Sequence, residues 1–449
     1  MQSWLDNNLG RLIEKHEVPA ASVAVWADGE LSTAAAGILS LNTGVEATTD
    51  SVFQVGSITK LWTTTLIAQL VVEGKVDLDR PVRDCLPEFK LGDEAAAASI
   101  TPRHLLTHTA GFSGDAFTPT SRGDDGVELF MRDVLPGLAQ EVPPGAGFSY
   151  NNSGFVVLGR IAEVLRGKPY HELIREHIGV PLELKHLATI PDEALLYRAA
   201  VGHISPKPDE PLQAASVWSL VHAMAPAGSL LAMTASDLIT FGRAYLDASL
   251  LDRATIDRLW EPQVDVPPTG GFPAHWGLGW MIFTLDGGTV YGHDGGTIGQ
   301  SAFFRLVPDK GVVVALLTNG GNTSSLYDEL VGHVLRETSG IELPARPVPP
   351  AEPVEISADL VTGRYEGVLT ASTVSVEEGE FWVVEEAVTE QAKVLLPEPR
   401  RTRLVPLDAA RLIAAEPERG DHEVLAFRDP VDGRAAYLFQ GGRLTPRSS

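Results

Sequence analysis

Strand-forming patterns stand at both ends of the first 340 residues and helix-forming ones fill the middle, and this order limits the fold more than any single motif. Trp4, Leu5, Leu9, Leu12 and Ile13 recur at helical spacing, so an amphipathic helix is expected to end near His16, ahead of Pro19. Residues 21–26 and 31–36 flank Asp28-Gly29, the signature of a tight β-hairpin. Residues 38–53 read as loop and short strand. From Ser57 to about Ala248, Ala- and Leu-rich segments broken by Pro and Gly read as helices. The β pattern returns at 277–283 and runs through the glycine-rich stretch 290–301, strand 302–307, turn Pro308-Asp309-Lys310-Gly311 and strand 312–318. A helix over 324–337 follows, with Leu326, Leu330, Val331 and Leu335 on its packing face. Residues 343–353, rich in proline, read as a stiff linker. The final hundred alternate like short strands, as at 372–376, 381–384 and 435–439, and are expected to be all-β.

At 449 residues the chain is long enough for two or three well-buried cores. A formal net charge of −24 repels a phosphate backbone or an anionic membrane, which argues against nucleic acid and membrane as partners. The lone cysteine, Cys85, excludes an internal disulfide framework. The longest apolar run, 312–317, is too short to span a bilayer, and the N-terminus lacks the basic start and apolar run of an export signal. A cytoplasmic protein is the expectation.

The chemistry concentrates in Gln54-Val55-Gly56-Ser57-Ile58-Thr59-Lys60-Leu61. If Ser57 opens a helix, Lys60 returns one turn on, on the same face as the hydroxyl. A serine becomes a nucleophile when a neighbour takes its proton, and a lysine does so once burial depresses its pKa. The apolar stretch 61–72 would bury it. The same residues also fit an N-cap serine and a solvated lysine. In 100–111, Thr101 reads as an N-cap, Pro102 as the first helical position and Gly111 as the stop. His104 and His108, four apart, invite a zinc reading, but no Glu stands beside the first and no third ligand is near. Tyr150-Asn151-Asn152 sits on a loop before a helix over 155–165 and suits either a cleft or a plain helix start.

Ser57-Ile58-Thr59-Lys60, then Tyr150-Asn151-Asn152, then His293-Asp294-Gly295 on a glycine-rich strand resemble, in order and spacing, the penicillin-recognising serine hydrolases: class C β-lactamases, DD-peptidases and their esterase and transacylase relatives. Stretches 101–111 and 292–300 look like that family too. The resemblance covers about residues 1–340. It implies an α/β fold, an antiparallel sheet flanked by helices with an all-α subdomain over about 61–248, in a catalytic domain 1–342. A linker 343–357 and a small lipocalin-like β domain 358–449 follow. It further implies that Ser57 forms an acyl-enzyme, Lys60 takes its proton, Tyr150 relays protons, and Asn152 holds Lys60 and the substrate amide. The backbone N–H groups of Ser57 and Gly296 would make the oxyanion hole, with Gly295 and Thr297 beside the substrate and no metal or cofactor. The family's β-lactamases usually carry lysine, threonine and glycine where this chain has His293-Asp294-Gly295. A mostly neutral histidine weakens the welcome to a β-lactam carboxylate and looks more like the esterase, D-aminopeptidase and acyltransferase relatives, in which His293 would join the catalytic residues by hydrogen-bonding Tyr150 or the bound acyl group. The layout is similar to stand-alone penicillin-binding-protein-type thioesterases, which take a nonribosomal peptide from a carrier protein and cyclise it at a D-residue. The implied partners are a peptide or peptidyl thioester and a peptidyl carrier protein. A hydrolytic esterase or D-amino-acid peptidase is the alternative, and a non-catalytic sensor the third. Arg443 and Arg447 read either as an anchor for a substrate carboxylate or as solvated charges.

Overall fold

The computed structural model describes residues 1–449 except 207–209, 353, 391, 395, 419 and 449; Pro353, part of the proline-rich stretch, lies outside the described residues. Nine strands form one antiparallel sheet in the order Val45–Glu46, Glu30–Ser40, Ala20–Ala27, Val312–Thr318, Ser301–Val307, Gly288–Gly296, Met281–Leu285, His275–Trp276 and Val264–Asp265. The two chain-distant halves join at the centre, where Ala24 pairs with Ala315. The hairpin turns at Asp28 and Gly29, both at left-handed φ (52° and 77°).

Period-two alternation sends the two faces of the central strands to different cores. Val23, Val25, Val314 and Leu316 meet Leu5, Leu9 and Leu12 of helix Gln2–Lys15 and Leu326, Leu330 and Leu335 of helix Thr323–Ser339. Ala24, Val313, Ala315 and Leu317 face the helical region, whose centre is the buried helix Thr59–Val72. That helix is buried on nearly all sides, and its threonines Thr63 and Thr65 satisfy their hydroxyls on Tyr170 and Tyr245 within the core.

Eight further strands from Gly363–Glu366 to Arg443–Pro446 pair antiparallel in chain order, and a bridge between Tyr365 and Arg447 nearly closes them into a barrel. Its interior is filled by Tyr365, Val374, Val383, Leu404, Leu412, Leu425, Phe427 and Leu438, as an eight-stranded barrel allows. The alternate residues Ala426, Phe439 and Leu444 point outward and join Val142, Phe148, Tyr150, Trp276 and Met281 in a core shared with the first body. The described residues between Gly340 and Ser357 form neither helix nor strand. They are tied down by Arg346, whose guanidinium pairs with Asp328 on one side and with Asp421 of the barrel, at 2.7 Å, on the other. Among the described residues no helix is long and apolar enough to cross a membrane.

Candidate active site

Gly56 to Ile58 form a 3-10 turn that leads into helix Thr59–Val72, so the α-helix begins two residues after Ser57 rather than at it. In a 3-10 turn residues three apart eclipse one another, which sets Ser57 and Lys60 on one side. The Lys60 amine lies 3.0 Å from Ser57 Oγ, 2.6 Å from Asn152 Oδ1 and 2.6 Å from the Ala227 carbonyl. Lys60 has no exposed surface, and burial pushes its pKa well down; the charge of Arg443 acts the same way and Asp115 opposes. A neutral amine has two N–H donors and one lone pair. Asn152 Oδ1 and the Ala227 carbonyl take the donors, and the lone pair is left for the Ser57 hydroxyl.

Three glycines let backbones close around that serine. A Cβ at Gly56 would stand 2.5 Å from the Gly296 nitrogen, one at Gly295 1.9 Å from the Val55 carbonyl oxygen, and one at Gly228 2.8 Å from the Ser57 nitrogen. The Ser57 amide and the Gly296 amide thus belong to one crevice. Thr297 closes the strand end, its N–H donating to the Gln300 carbonyl at 3.0 Å while its hydroxyl is buried without a partner among the described residues.

Asn151 and Asn152 divide their labour. Asn151 caps helix Asn152–Arg166, its Oδ1 accepting the Gly154 N–H at 2.7 Å, so the helix starts three residues earlier than the sequence pattern suggested. Asn152, at the first helical position, is free to reach Lys60. Tyr150 precedes the cap, buried, with the Lys60 amine 4.9 Å from its ring centroid. Burial raises the phenol's pKa and a contact with the Ser57 hydroxyl opposes, so the group stays protonated.

The barrel enters the site here. The Tyr150 N–H donates to the Gly442 carbonyl at 2.8 Å, and the Leu444 N–H to Ser149 Oγ at 3.1 Å. Arg443 lies with its guanidinium 4.9 Å from the Tyr150 centroid and grips Asp115 bidentately at 2.9 and 3.1 Å. Asp115 in turn accepts Asn152 Nδ2 at 2.7 Å, which completes a chain from barrel cation to lysine. Burial would raise the Asp115 carboxyl, but Arg443 beside it holds it below its ordinary value. Arg443 is thus more than a solvated surface charge: its guanidinium is half-buried and already paired with a carboxylate of the chain itself, Asp115. Arg447 is elsewhere, donating to the carbonyls of Ala435, Thr362 and Leu360 and to the Tyr365 hydroxyl, where it closes the barrel.

His293 is buried on the same strand face as Gly295. Its Nδ1 is 2.6 Å from the Asp294 carbonyl, an acceptor, so Nδ1 carries the proton and Nε2 is bare. Burial, then the charge of Lys60, lowers its pKa to about 3. The ring sits 6.2 Å from that of Tyr150, centroid to centroid. Asp294 points to the other face and pairs with buried Arg305 at 2.6 Å.

The two histidines four apart do separate jobs. His104 Nδ1 accepts the Thr101 N–H in a capping box, and His108 Nδ1 accepts the Asn151 N–H. Among the described residues no group of three metal-capable side chains forms. The helix Pro102–Leu106, which carries His104, ends short of Gly111 because the Thr107 hydroxyl bonds back to the Arg103 carbonyl and His108 takes a left-handed φ of 55°. Asp115, the Ala227 carbonyl and Gly228 carried no role in the sequence reading. Pro226-Ala227-Gly228-Ser229 is a turn signal that marked an irregular backbone; Asp115 had none.

A buried lysine holding a serine, under a tyrosine and against a glycine-lined strand, is an arrangement suited to a serine hydrolase, and the chain belongs to such a family: the Beta-lactamase family model matches residues 5–335. It is a penicillin-recognising serine hydrolase. Among curated relatives, Penicillin-binding protein 4 of Amycolatopsis lactamdurans is 40% identical over 361 residues, 78% of this chain and 94% of that protein. Among solved structures, SurE is 26% identical with a TM-score of 0.78 and covers 99% of this chain and 98% of its own. The same protein solved with D-Leu gives 27% and 0.73, over 97% of each chain. D-amino acid amidase from Ochrobactrum anthropi SV3 is 25% identical at a TM-score of 0.55 over 71% of this chain and 92% of its own.

Proposed function

We propose that the protein transfers a peptide acyl group through an ester on Ser57, releasing a nonribosomal peptide from a thioester by head-to-tail cyclisation. Ser57 Oγ attacks the thioester carbonyl as its proton passes to Lys60. The oxyanion is met by the N–H groups of Ser57 and Gly296, where losing one donor typically costs about 3 kcal/mol. Tyr150 passes a proton to the departing thiolate. The peptide's own amine then attacks the ester and gives its proton to Tyr150, while Lys60 hands its proton back to the departing Ser57 oxygen, so all three groups return to their starting state. Asn152 holds Lys60 and the substrate amide, and Gly295 and Thr297 line the acyl strand. The catalytic part is residues 1–342, and the barrel over 358–449 walls the acceptor side.

The observation that carries this reading is the Lys60 amine, fully buried and shared between Ser57, Asn152 and the Ala227 carbonyl. The barrel bonded to Tyr150 supports a cleft that limits water. The full-length likeness to SurE, solved with D-Leu, supports a D-residue at the acyl position. Neutral His293 in place of a fixed cation argues against β-lactam carboxylates as the natural ligand. Peptidyl thioesters ending in a D-residue should give cyclic product, detected by mass spectrometry; release of linear acid alone across a panel would reject cyclisation. The likeness to D-amino acid amidase favours one second reading, hydrolysis with water as acceptor, which that same result would support.

A further inference from the structure

His108 is a buried titratable group at the site that the scheme above leaves without a task. Its main chain and its side chain hold the two residues that flank Tyr150: the His108 carbonyl accepts the Ser149 N–H at 2.8 Å and Nδ1 accepts the Asn151 N–H at 2.9 Å. Its ring stacks on that of Tyr150, 4.2 Å between centroids and 29° between planes. Trp276 meets the imidazole edge-on at 4.9 Å and Phe155 lies tilted beside it at 5.2 Å, so aromatic rings enclose it. The residue holds a left-handed φ of 55°, which a side chain adopts only where its surroundings impose it.

The Asn151 amide is a donor, so Nδ1 must be bare and the proton sits on Nε2. That Nε2–H is buried with no partner among the described residues. A phenylalanine would fill the same space without stranding a donor, so what the imidazole alone supplies is the acceptor. The groups facing it are Lys60, His293, Arg443 and the Tyr150 ring, and the first three all disfavour an imidazolium, as does burial.

We propose that His108 is the positioning residue for Tyr150: a neutral imidazole, protonated on Nε2, that clamps the chain on both sides of the tyrosine and backs its ring, fixing the phenol hydroxyl between Ser57 and Lys60. The inference rests on the reading above, in which Tyr150 moves protons to and from the leaving and entering groups.

The full chain serves for the test, with p-nitrophenyl acetate as substrate. His108→Phe keeps the ring and loses the acceptor; it lowers kcat about a hundredfold while KM stays within about threefold. His108→Asn, which offers an amide oxygen near the place of Nδ1, recovers kcat to within about tenfold of the parent. In a Tyr150→Phe background, with no hydroxyl to place, His108→Phe costs less than about threefold more. Nitrogen NMR of the unmutated protein finds Nδ1 bare and Nε2 protonated from pH 6 to 9, whatever the variants do. Unchanged kcat in His108→Phe, no recovery with Asn, the full loss retained without the Tyr150 hydroxyl, or a protonated Nδ1 would each overturn the proposal. Turnover that survives Ser57→Ala would instead remove the acyl-enzyme reading, and the NMR result would still stand by itself.

Discussion

Removing either charge of the Arg443–Asp115 pair should move the acid limb of Ser57 reactivity, and in opposite directions. The Lys60 amine and the Arg443 guanidinium each lie 4.9 Å from the Tyr150 ring centroid, so they are at most about 10 Å apart. Two unit charges at that separation repel by about 1.7 kcal/mol at an effective dielectric of 20 and by about 0.4 kcal/mol in bulk water, or about 1.2 and 0.3 pKa units. The Arg443 side chain keeps 37% exposure, so screening places the effect between those limits, at about half to one unit. The base is neutral Lys60, and reactivity falls as pH drops through its pKa. In Arg443→Met the ammonium is disfavoured less, its pKa rises and the limb moves to higher pH. In Asp115→Asn a stabilising anion is gone, the pKa falls and the limb moves to lower pH; the new amide oxygen still accepts Asn152 Nδ2. The double variant should return close to the parent. The assay is the second-order rate of Ser57 labelling by a fluorophosphonate from pH 5 to 10, with thermal melting to confirm folding. Shifts of the same sign, or both below about 0.2 unit, would refute the electrostatic link from barrel to lysine.

Glu163 is 6% exposed and burial pushes its carboxyl up to about 7, with the Tyr170 N–H at 3.0 Å opposing. The folded state therefore holds this proton more tightly than the unfolded chain, and the stability it contributes at acid pH is lost as pH rises from about 4.5 to 7. Glu163→Gln keeps the acceptor and removes that loss, so at pH 8 it should be more stable by on the order of 1–3 kcal/mol in urea unfolding; identical pH slopes for the two proteins would contradict this. Gly295→Ala places a methyl 1.9 Å from the Val55 carbonyl oxygen, which should cost about 1–3 kcal/mol of stability and slow Ser57 labelling at least about tenfold. A normal labelling rate would separate this strand from the site.

What the sequence disclosed follows the range of the forces involved. Ser57 and Lys60 are three apart, so turn geometry alone brings them together. The Asp28-Gly29 hairpin, the Thr101 cap and the alternating strands are likewise local, and each stands where its pattern implied. The helix ends were misplaced where a side chain competed with the backbone: Asn151 begins its helix early, and Thr107 with His108 ends another before Gly111. Asp115 lay beyond reach. It sits in irregular chain with no period to mark it, and its partner Arg443 is 328 residues away. No local rule pairs residues at that distance; only the docking of the barrel does.

That docking explains why a filled barrel belongs beside a hydrolase site. Tyr365, Leu412, Leu425 and Leu438 pack together as the core at the barrel's centre. The surface the barrel presents to the catalytic part is its outside. The residues that alternate with the core, Ala426, Phe439 and Leu444, bury themselves against Phe148 and Tyr150, and the turn between the last two strands delivers the Gly442 carbonyl and the Arg443 cation. A tyrosine held from one side by His108 and from the other by Gly442 cannot be placed correctly by the first body alone. The barrel's contacts with the Tyr150 N–H and with Asp115 are also what set the charge beside Lys60, so the position of the barrel and the environment of the lysine are tied through the same few bonds.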